Sequence, residues 1–572
     1  MLTAEYFDYR RSFRISPPHL QIRLIVIDSI TTNENSAAGS TEAPGYRSFR
    51  AQSQNKTAFI DPPLRDAELL IKQNLAVASK HGAGDLCLAL AADARTQLLE
   101  DARRYTSAYR DTPGFSPNSS QPIVMAGHQP TLFHPGVWFK NFALTQIGND
   151  VGAHSVNLVI DNDVASARSI RVPVRDSMDR VGIRSVAYDL GGSGIPYEQA
   201  KIRDLRQFDG FERQVSDAIS PLVANPLISR LWPHARDAIR RCEIAGCALA
   251  QARHALEAEL GWNNLEIPLG VAVRGLPFAR FVMEMIDEVE RFHAVYNQSA
   301  DHYRAWHGIR SSAHPVPNLT NDGNWYELPL WVYGNDSPVR RAVWVRRFGD
   351  QLELSDRSSE SGNTIVLPSG NRESAAEILA DCMSPEWKLR PRALVTTMFA
   401  RLILSDLFLH GIGGGKYDQM ADRIIAGFFG VKPPAFQVVS ATLRLPGQSI
   451  DSNRNTRINE VQRQIRDTFF QGERWSGPVS DLGGGRLKDL TDTKQELIES
   501  MPERGGRGLW HKQIESINKE MSRLLEPERI RLTAELDRLR RKTAEEAVLA
   551  SREWSFCLFD LEELVSSFRG MV

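Results

Sequence analysis

Cysteine is scarce in this sequence, and net charge is almost absent. Its 572 residues include five cysteines, and the closest two, Cys242 and Cys247, have no matching second pair. Reduced thiols are therefore expected, rather than a zinc site or a disulfide framework. The 69 basic residues are balanced by 70 acidic ones, so no overall field favours a nucleic acid or a membrane as a partner.

The first residues do not predict a targeting segment. The first residues, M-L-T-A-E-Y-F-D-Y-R-R, are acidic and aromatic, whereas a signal peptide has a basic start followed by an apolar run. The longest early apolar stretch, residues 24–27, is far too short to cross a bilayer. We expect a cytoplasmic protein.

The composition is that of a folded chain, with 42% hydrophobic and 24% charged residues. At roughly 150 residues per domain, it has room for about three or four structural units. From residue 121 the pattern passes from a buried strand, P-I-V-M-A-G-H-Q, through an aromatic-rich helix to a second buried strand, S-V-N-L-V-I-D-N-D. This order favours a parallel sheet and therefore an α/β fold.

Later segments predict the rest of the fold. Residues 325–356 alternate around Gly349 and Asp350, which indicates a hairpin, and the sheet is expected to resume at 393–404. After Pro446 the pattern predicts two amphipathic helices with apolar stripes, near 455–470 and 511–550, which are expected to pair as an antiparallel coiled-coil hairpin. In order, the predicted regions are a flexible N-terminal arm at 1–61, N-terminal helices at 62–120, the first part of the sheet core at 121–200, an inserted region of helices and strands at 201–380, the second part of the core at 381–446, and the coiled-coil helices at 447–572.

The first candidate site motif is A-G-H-Q-P-T-L-F-H-P-G-V-W-F-K, which follows the first predicted core strand. The carboxyl end of such a strand and the next helix N-terminus form a crevice in an α/β sheet, and Gly127 would allow close backbone approach to a ligand. His128, Gln129 and His134 would project into that crevice, where imidazoles can exchange protons near neutral pH. The alternative is a tight turn with the histidines as helix-capping surface residues.

Two further motifs predict ligand contacts. Asp161 and Asp163 end the next strand, where acids bind an ammonium, a hydroxyl or a magnesium ion that carries phosphates, although such residues also form turns. In H-G-I-G-G-G-K-Y-D, the glycines at 413–415 would present backbone N–H groups to an anion, and Lys416 would neutralise it. This motif lacks the spacing of a Walker A loop, and a flexible hinge is its alternative.

Taken together, these three motifs resemble the bacillithiol biosynthesis cysteine-adding enzyme family. That family carries T-G-Q-Q-x-G-L-F-T-G-P, E-D-H-D, an R-P stretch and V-G-G-P-G-E in this order. The residues that match are Gly127, Gln129, Leu132, Phe133, Asp161, Asp163, Arg390, Pro391 and the glycines at 413–415, with S-A-T-L at 440–443. The sequence departs from the family at His128, at His134 and at Lys416, which follows the glycines.

The resemblance implies a Rossmann-like core with inserted segments, a C-terminal coiled coil and a cysteine ligase activity. Such an enzyme would join cysteine to the amine of glucosaminyl malate or an analogue. His128 or His134 would be the base, Asp161 and Asp163 would bind the amine or the acceptor, and the glycine loop with Lys416 would hold ATP or another nucleotide. Magnesium is expected only if a nucleotide is used, and no other metal is expected.

Two other functions stay open from the sequence. His134, Pro135 and Gly136 match three quarters of an H-x-G-H pattern, with Val137 in place of the last histidine, which is the mark of a nucleotidyltransferase. A non-catalytic coiled-coil scaffold with a vestigial pocket is the other alternative. The expected partners are small-molecule substrates, an amino acid and an amino-sugar conjugate. We expect no nucleic acid and no membrane as partners, and a homodimer formed through the coiled coil.

Overall fold

The structure, a computed structural model, describes residues 45–78, 84–112, 121–165, 168–178, 180–191, 194–358, 364–447, 453–476, 485–503 and 505–572. The β-strands in these ranges are β1 (Thr57–Asp61), β2 (Ile123–His128), β3 (His154–Val159), β4 (Ser169–Arg175), β5 (Val181–Ala187), β6 (Leu265–Pro268), β7 (Asn321–Asp322), β8 (Trp325–Tyr333), β9 (Arg341–Phe348), β10 (Gln351–Ser355), β11 (Thr364–Pro368), β12 (Lys388–Pro391), β13 (Leu407–His410) and β14 (Phe436–Thr442). The described residues from 47 onward form one compact unit.

Helices make up most of the remaining regular structure, and they confirm the predicted mixed α/β class. They are α1 (Ala67–Ala78), α2 (Gly84–Ser107), α3 (Pro135–Val151), α4 (Leu205–Ile219), α5 (Ile228–Cys242), α6 (Ala245–Glu259), α7 (Leu269–Ala272), α8 (Leu276–Asp287), α9 (Val289–Trp306), α10 (Arg372–Cys382), α11 (Ala393–Phe399), α12 (Ile412–Ile424), α13 (Arg454–Phe470), α14 (Arg486–Glu499), α15 (Arg507–Leu524), α16 (Glu526–Ala550) and α17 (Leu561–Arg569). Among the described residues, no helix is both long and apolar enough to cross a membrane.

The central sheet has six strands in the order β1-β14-β13-β2-β3-β6. Five of them are parallel, as predicted for the core, and β1 is an antiparallel edge strand. From β2 the chain adds β3 and β6 on one side, and it later adds β13 and β14 on the other side. The direction of winding therefore reverses between β2 and β13, where a parallel sheet leaves a crevice beyond its carboxyl edge.

Burial on both faces explains the apolar strand runs. Ile123, Val124, Met125 and Ala126 of β2 are all buried, because α3 and further helices cover the sheet. Helix α3 contributes buried aromatic side chains to this core. Packing of α3 on the sheet fixes the position of the turn between β2 and α3, which carries the first candidate motif.

Part of the predicted N-terminal arm belongs to the central sheet. Residues 57–61, placed by the sequence pattern within a flexible arm at 1–61, form β1 and pair with β14 from Thr57 opposite Thr442. Phe49 is also fully buried. Edge pairing with a strand far along the chain leaves no local sequence signal. Residues 1–44 of the predicted arm lie outside the described residues.

Two strand assignments were also wrong. The sheet was expected to resume at 393–404, but this segment is α11 followed by a π-helical turn at Ala400–Leu404, and the strand is β13. The helix is buried on nearly all sides, so its apolar run lacks an amphipathic period. In addition, β6 lies inside the predicted insertion at 201–380 and yet belongs to the central sheet.

A second sheet is antiparallel, with the order β11-β10-β9-β8-β12. The predicted hairpin is confirmed: Gly349 and Asp350 connect β9 to β10, and Phe348 pairs with Gln351. Gly349 has φ +58°, a conformation that glycine adopts without strain. Strand β12 joins this sheet rather than the central one, although it lies in the predicted second part of the core.

The C-terminal helices α13 to α16 share an apolar core that includes Val461, Met521 and Leu532. The single helix expected at 511–550 is divided into α15 and α16, which meet at Leu525. Pro527 lies in the first turn of α16, and proline cannot continue the preceding helix because it lacks an N–H and its ring clashes with the previous turn.

The last segment returns to the central sheet, so the predicted coiled-coil region at 447–572 is not one unit. Phe568 of α17 is fully buried, and its ring lies 5.2 Å from that of Phe139 in α3. The ring of Phe556 lies 4.9 Å from that of Trp138 in α3. Residues 551–572 therefore belong to the core of the sheet domain.

Candidate active site

A cavity of about 930 Å³ lies beyond the carboxyl ends of β2 and β13, at the point where the winding of the sheet reverses. Seven of the predicted site residues line it: Gly127, His128, His134, Asp163, Gly413, Gly414 and Lys416. The sheet thus brings together motifs that lie almost 300 positions apart in the chain. Of the remaining predicted site residues, Gln129, Asp161 and Gly415 are described by the structure but are not part of the lining.

His128 ends β2 and has both ring nitrogens close to oxygen atoms of the protein. Its Nδ1 lies 3.1 Å from the Gln129 carbonyl, and its Nε2 lies 3.1 Å from Oδ1 of Asn141. Burial lowers the pKa of His128 well below its usual value, and the positive charges of Arg253 and Lys140 lower it further. The imidazole is therefore neutral and fixed in the wall of the cavity.

His134 caps helix α3. Its Nδ1 accepts a hydrogen bond of 3.1 Å from the backbone N–H of Gly136, which is the helix-capping alternative considered for this motif. Its Nε2 lies 3.8 Å from Glu553. A side chain on Gly136 would lie 2.3 Å from the carbonyl of Ala441, so glycine is required for the close approach of α3 to β14.

Lys140, one turn into α3, is the buried cation of the site. Its ammonium donates a hydrogen bond of 2.5 Å to the carbonyl of Gly127. Burial lowers the pKa of Lys140 to about 8, and Arg253 contributes in the same direction. A lysine in this state is still charged at neutral pH, and because it lines the cavity it can bind an anion there.

The two predicted aspartates lie in different environments. Asp163 faces the cavity, where it accepts hydrogen bonds from the side chain of Gln129 and, at 3.2 Å, from Arg340. Gln129 therefore supports Asp163 instead of contacting a ligand directly. Asp161 is buried, and its Oδ1 accepts a hydrogen bond of 3.0 Å from the backbone N–H of Gly270.

Asp161 belongs to a buried ionic cluster next to the site. Burial raises the pKa of Asp161 to about 7, and the negative charge of Glu198 adds to the shift, whereas Arg390 opposes it. Glu198 itself is held by two hydrogen bonds of 3.0 Å from Arg390 and by the hydroxyl of Tyr333 at 2.5 Å. The cluster ties the end of β3 to the second sheet.

The predicted glycine loop is the first turn of helix α12, which begins at Ile412 after the N-cap Gly411. The first N–H groups of a helix have no partner within it, and here no side chain caps them. Gly413 and Gly414 line the cavity, whereas Gly415 packs on β14, because a Cβ there would lie 2.4 Å from Val438. The N–H of Gly415 donates to the carbonyl of Gly411, so only Gly413 and Gly414 of the three predicted glycines have N–H groups without a partner in the helix.

The lining is rich in positive charge. Two acidic side chains line the cavity, Asp163 and Glu553, and the basic ones are Arg50, Lys140, Arg340, Arg392, Lys416 and Arg552. Arg340 is paired with Asp163, Arg392 with Glu327, and Arg552 with Glu553. In the described part of the chain, Arg50, Lys140 and Lys416 have no carboxylate within ion-pair distance. The cavity is therefore suited to an anionic ligand.

His410 was not among the predicted site residues, although it opens the third motif. It ends β13, lines the cavity and lies 3.0 Å from Asp418 through its Nε2. Asp418 lies in α12, eight residues further on. A histidine at a strand end followed by an acid in the next helix was the signal that could have identified this pair.

Comparison with known proteins adds no relative: no protein-family model matches the chain, and no curated protein is similar to it. The site geometry therefore defines only a class, an α/β protein with a cationic cavity at the carboxyl edge of its central sheet. Any function of the chain has to be consistent with that cavity.

Proposed function

We propose that this chain is a carbon–nitrogen ligase-like enzyme that binds anionic substrates in the cationic cavity. The proposal rests on one observation: the first turn of α12 and three cationic side chains line the same cavity. These three cations have no ion-pair partner among the described residues. Backbone N–H groups at a helix N-terminus and nearby cations together form an anion site. The volume of about 930 Å³ lies at the upper end of the range for small-molecule sites, which is roughly 300–1,000 Å³.

We further propose that the central sheet is Rossmann-like. The five parallel strands follow the order β6-β3-β2-β13-β14, which matches the 3-2-1-4-5 order of doubly wound sheets. Such sheets bind ligands at the point where the winding reverses. The position of the cavity supports this assignment.

The proposed reaction joins the carboxyl group of an amino acid, cysteine, to the amine of glucosaminyl malate or a similar amino-sugar conjugate. A carboxylate is a poor electrophile, so one of its oxygens must become a leaving group, and transfer of a nucleotide phosphoryl or adenylyl group would do this. The residues that would hold the phosphates are Lys416, Lys140 and the N–H groups of α12. The malate carboxylates of the acceptor also match the positive lining, and Asp163 and Glu553 can hold an ammonium group.

Lys416 provides the direct test of the anion site. Lys416→Ala should weaken binding of ATP with magnesium by about ten- to a hundredfold and leave the melting temperature of the free protein unchanged. Isothermal titration calorimetry measures the affinity, and Lys432→Ala, which removes an exposed lysine outside the lining, is the matched control. Equal affinities for the wild type and Lys416→Ala would contradict a phosphate site at α12.

A product assay distinguishes the ligase from its alternatives. Incubation with cysteine, the amino-sugar conjugate and ATP should give the amide, detected by mass spectrometry, together with phosphate or pyrophosphate. A nucleotidylated acceptor without an amide would favour the nucleotidyltransferase, for which His134 at the cavity is the supporting observation. Absence of ligand binding and of any product would favour the non-catalytic scaffold.

A further inference from the structure

The pair of His410 and Asp418 has the geometry of an oriented imidazole base. The His410 Nε2 lies 3.0 Å from Oδ2 of Asp418. An ionised carboxylate only accepts hydrogen bonds, so the Nε2 carries the proton. In the neutral ring, the Nδ1 on the other side then has a lone pair.

Asp418 is held firmly enough to orient the ring. It is fully buried, and it also accepts hydrogen bonds from Arg401 and from the hydroxyl of Thr397. Burial alone would raise the pKa of Asp418, but the charge of Arg401 and the hydrogen bonds from His410 and Thr397 outweigh burial and hold it well below its usual value. Asp418 is therefore ionised at neutral pH.

A glycine lies beside the Nδ1 of His410. Among the described residues this nitrogen has no hydrogen-bond partner, and Gly414, in the first turn of α12, lines the same cavity as His410. A Cβ at Gly414 would lie 2.9 Å from this nitrogen. The other two histidines of the cavity differ, because His128 has both nitrogens next to protein oxygens and His134 uses its Nδ1 to cap α3.

We propose that His410 is the proton-accepting catalytic residue of this site and that Asp418 is its positioning residue. The inference rests on the proposed ligase function, since it concerns the attack of the acceptor amine. In that step the amine nitrogen forms a bond to the activated acyl carbon, and the bond from this carbon to the leaving oxygen breaks with its electron pair. The proton lost by the attacking nitrogen goes to the Nδ1 of His410, and no oxidant or reductant is needed.

Gly414→Ala tests the role of the Nδ1 without removing the imidazole. The new methyl group should block the nitrogen and lower kcat for amide formation by at least about a hundredfold, the lower end of the range for general-base catalysis. Gly508→Ala is the matched control, because Gly508 also lies in the first turn of a helix and has no atom within 4 Å of the added Cβ. His410→Gln should show the same loss as Gly414→Ala.

Chemical modification tests the same nitrogen without any assay of activity. Diethyl pyrocarbonate, a reagent for neutral imidazole nitrogen, should modify His410 faster than His128, and Gly414→Ala should slow the modification of His410 at least tenfold. Peptide mass mapping of the full chain gives the rates. Equal rates at His410 in Gly414→Ala and Gly508→Ala would overturn the assignment of an open Nδ1.

The positioning role of Asp418 has its own test. Asp418→Asn places an amide donor next to the Nε2 of His410, which moves the ring proton to Nδ1. We expect kcat to fall while KM for the acceptor stays unchanged, whereas a purely structural loss would change both. Circular dichroism and the melting temperature establish whether this variant is folded, and if it is not, Gly414→Ala and His410→Gln decide the question.

The outcomes separate the two proposals. If the wild type forms no amide, the ligase function and the role of His410 in it both fail. If the wild type forms the amide and His410→Gln retains full kcat, only the base assignment fails, and another group must take the proton.

Discussion

Two buried ionisable side chains, Lys140 and Asp161, lie on neighbouring elements beside the cavity, and burial moves each toward its neutral form. The pKa of Lys140 is lowered to about 8, and that of Asp161 is raised to about 7. Side chains whose pKa is shifted in this way cluster at functional sites. They lower the stability of the folded protein, and this loss can be measured separately from their function.

Asp161→Asn should stabilise the protein above neutral pH. The folded state holds the Asp161 proton more tightly than the unfolded state, so the free energy of unfolding of the wild type falls as the pH rises from about 4 to about 7. At about 1.4 kcal/mol per pKa unit, the gain from Asn at pH 8 is of the order of 2 to 4 kcal/mol, and it should approach zero at pH 4.

Urea denaturation at pH 4.5 and pH 8 measures this difference. Asp209→Asn, a change at an exposed position of α4, is the control and should alter the free energy of unfolding little at either pH. If Asp161→Asn destabilises the protein equally at both pH values, the hydrogen bond to Gly270, and not the buried charge, dominates at this position.

At the scale of single elements, the first turn of α12 shows why its glycines differ. Gly415→Ala should destabilise the protein by about 1 to 3 kcal/mol, because the added methyl group would lie 2.4 Å from the Val438 side chain in a packed core. Val438→Ala makes room for the methyl group, so Gly415→Ala should cost less stability in the Val438→Ala background than in the wild type. Thermal denaturation compares the wild type, both single variants and the double variant, and an equal loss in the two backgrounds would exclude a steric cause.

The stripe of the C-terminal helices gives a second test at this scale. Leu532 is fully buried in the core shared by α13 to α16, whereas Ile530 on the same helix is 64% exposed. Leu532→Asp should therefore lower stability by at least about 3 kcal/mol, and Ile530→Asp should have little effect. Light scattering on both variants also tests the predicted homodimer. If Ile530→Asp alone lowers the measured mass, the homodimer forms through a face that includes Ile530.

The sequence pattern predicted those elements whose signal is local. The turn between β2 and α3 follows a run of buried strand residues and precedes an aromatic helix, so its position and its two histidines could be found. The segment 393–404 is buried on nearly all sides, which removes the period that separates a helix from a strand. His410 was missed although it and Asp418 begin and end the third motif, because the sequence does not show how α12 folds back onto the end of β13.

At the scale of the whole molecule, residues from distant parts of the chain complete the site. Arg50, Arg340 and Arg552 come from three regions that the sequence pattern treated as an arm, an insertion and a coiled coil. No local pattern indicates that such residues meet, because long-range packing alone brings them together. This part of the site could be found only from the fold.

The return of the chain end to the sheet domain predicts a strong effect far from the cavity. Phe568→Ala should lower the free energy of unfolding by about 3 to 5 kcal/mol, since the ring is fully buried among aromatic residues of α3 and Trp262. Val572→Ala, at an exposed position, should change it little. Denaturation in urea measures both, and similar small losses would show that α17 is not part of the core.

The pairing of β1 with β14 also affects how the protein can be made. Thr442 of β14 pairs with Thr57 of β1, which lies 385 positions earlier. At about 5 to 20 residues per second, a ribosome needs roughly 20 to 80 s to synthesise that interval. The edge strand β1 therefore stays unpaired on the nascent chain during this time. The aromatic side chains of α3 lack their partners Phe556 and Phe568 for still longer, because these two residues are synthesised later. Chaperones that shield exposed strands and apolar surface would act on this chain mainly during translation.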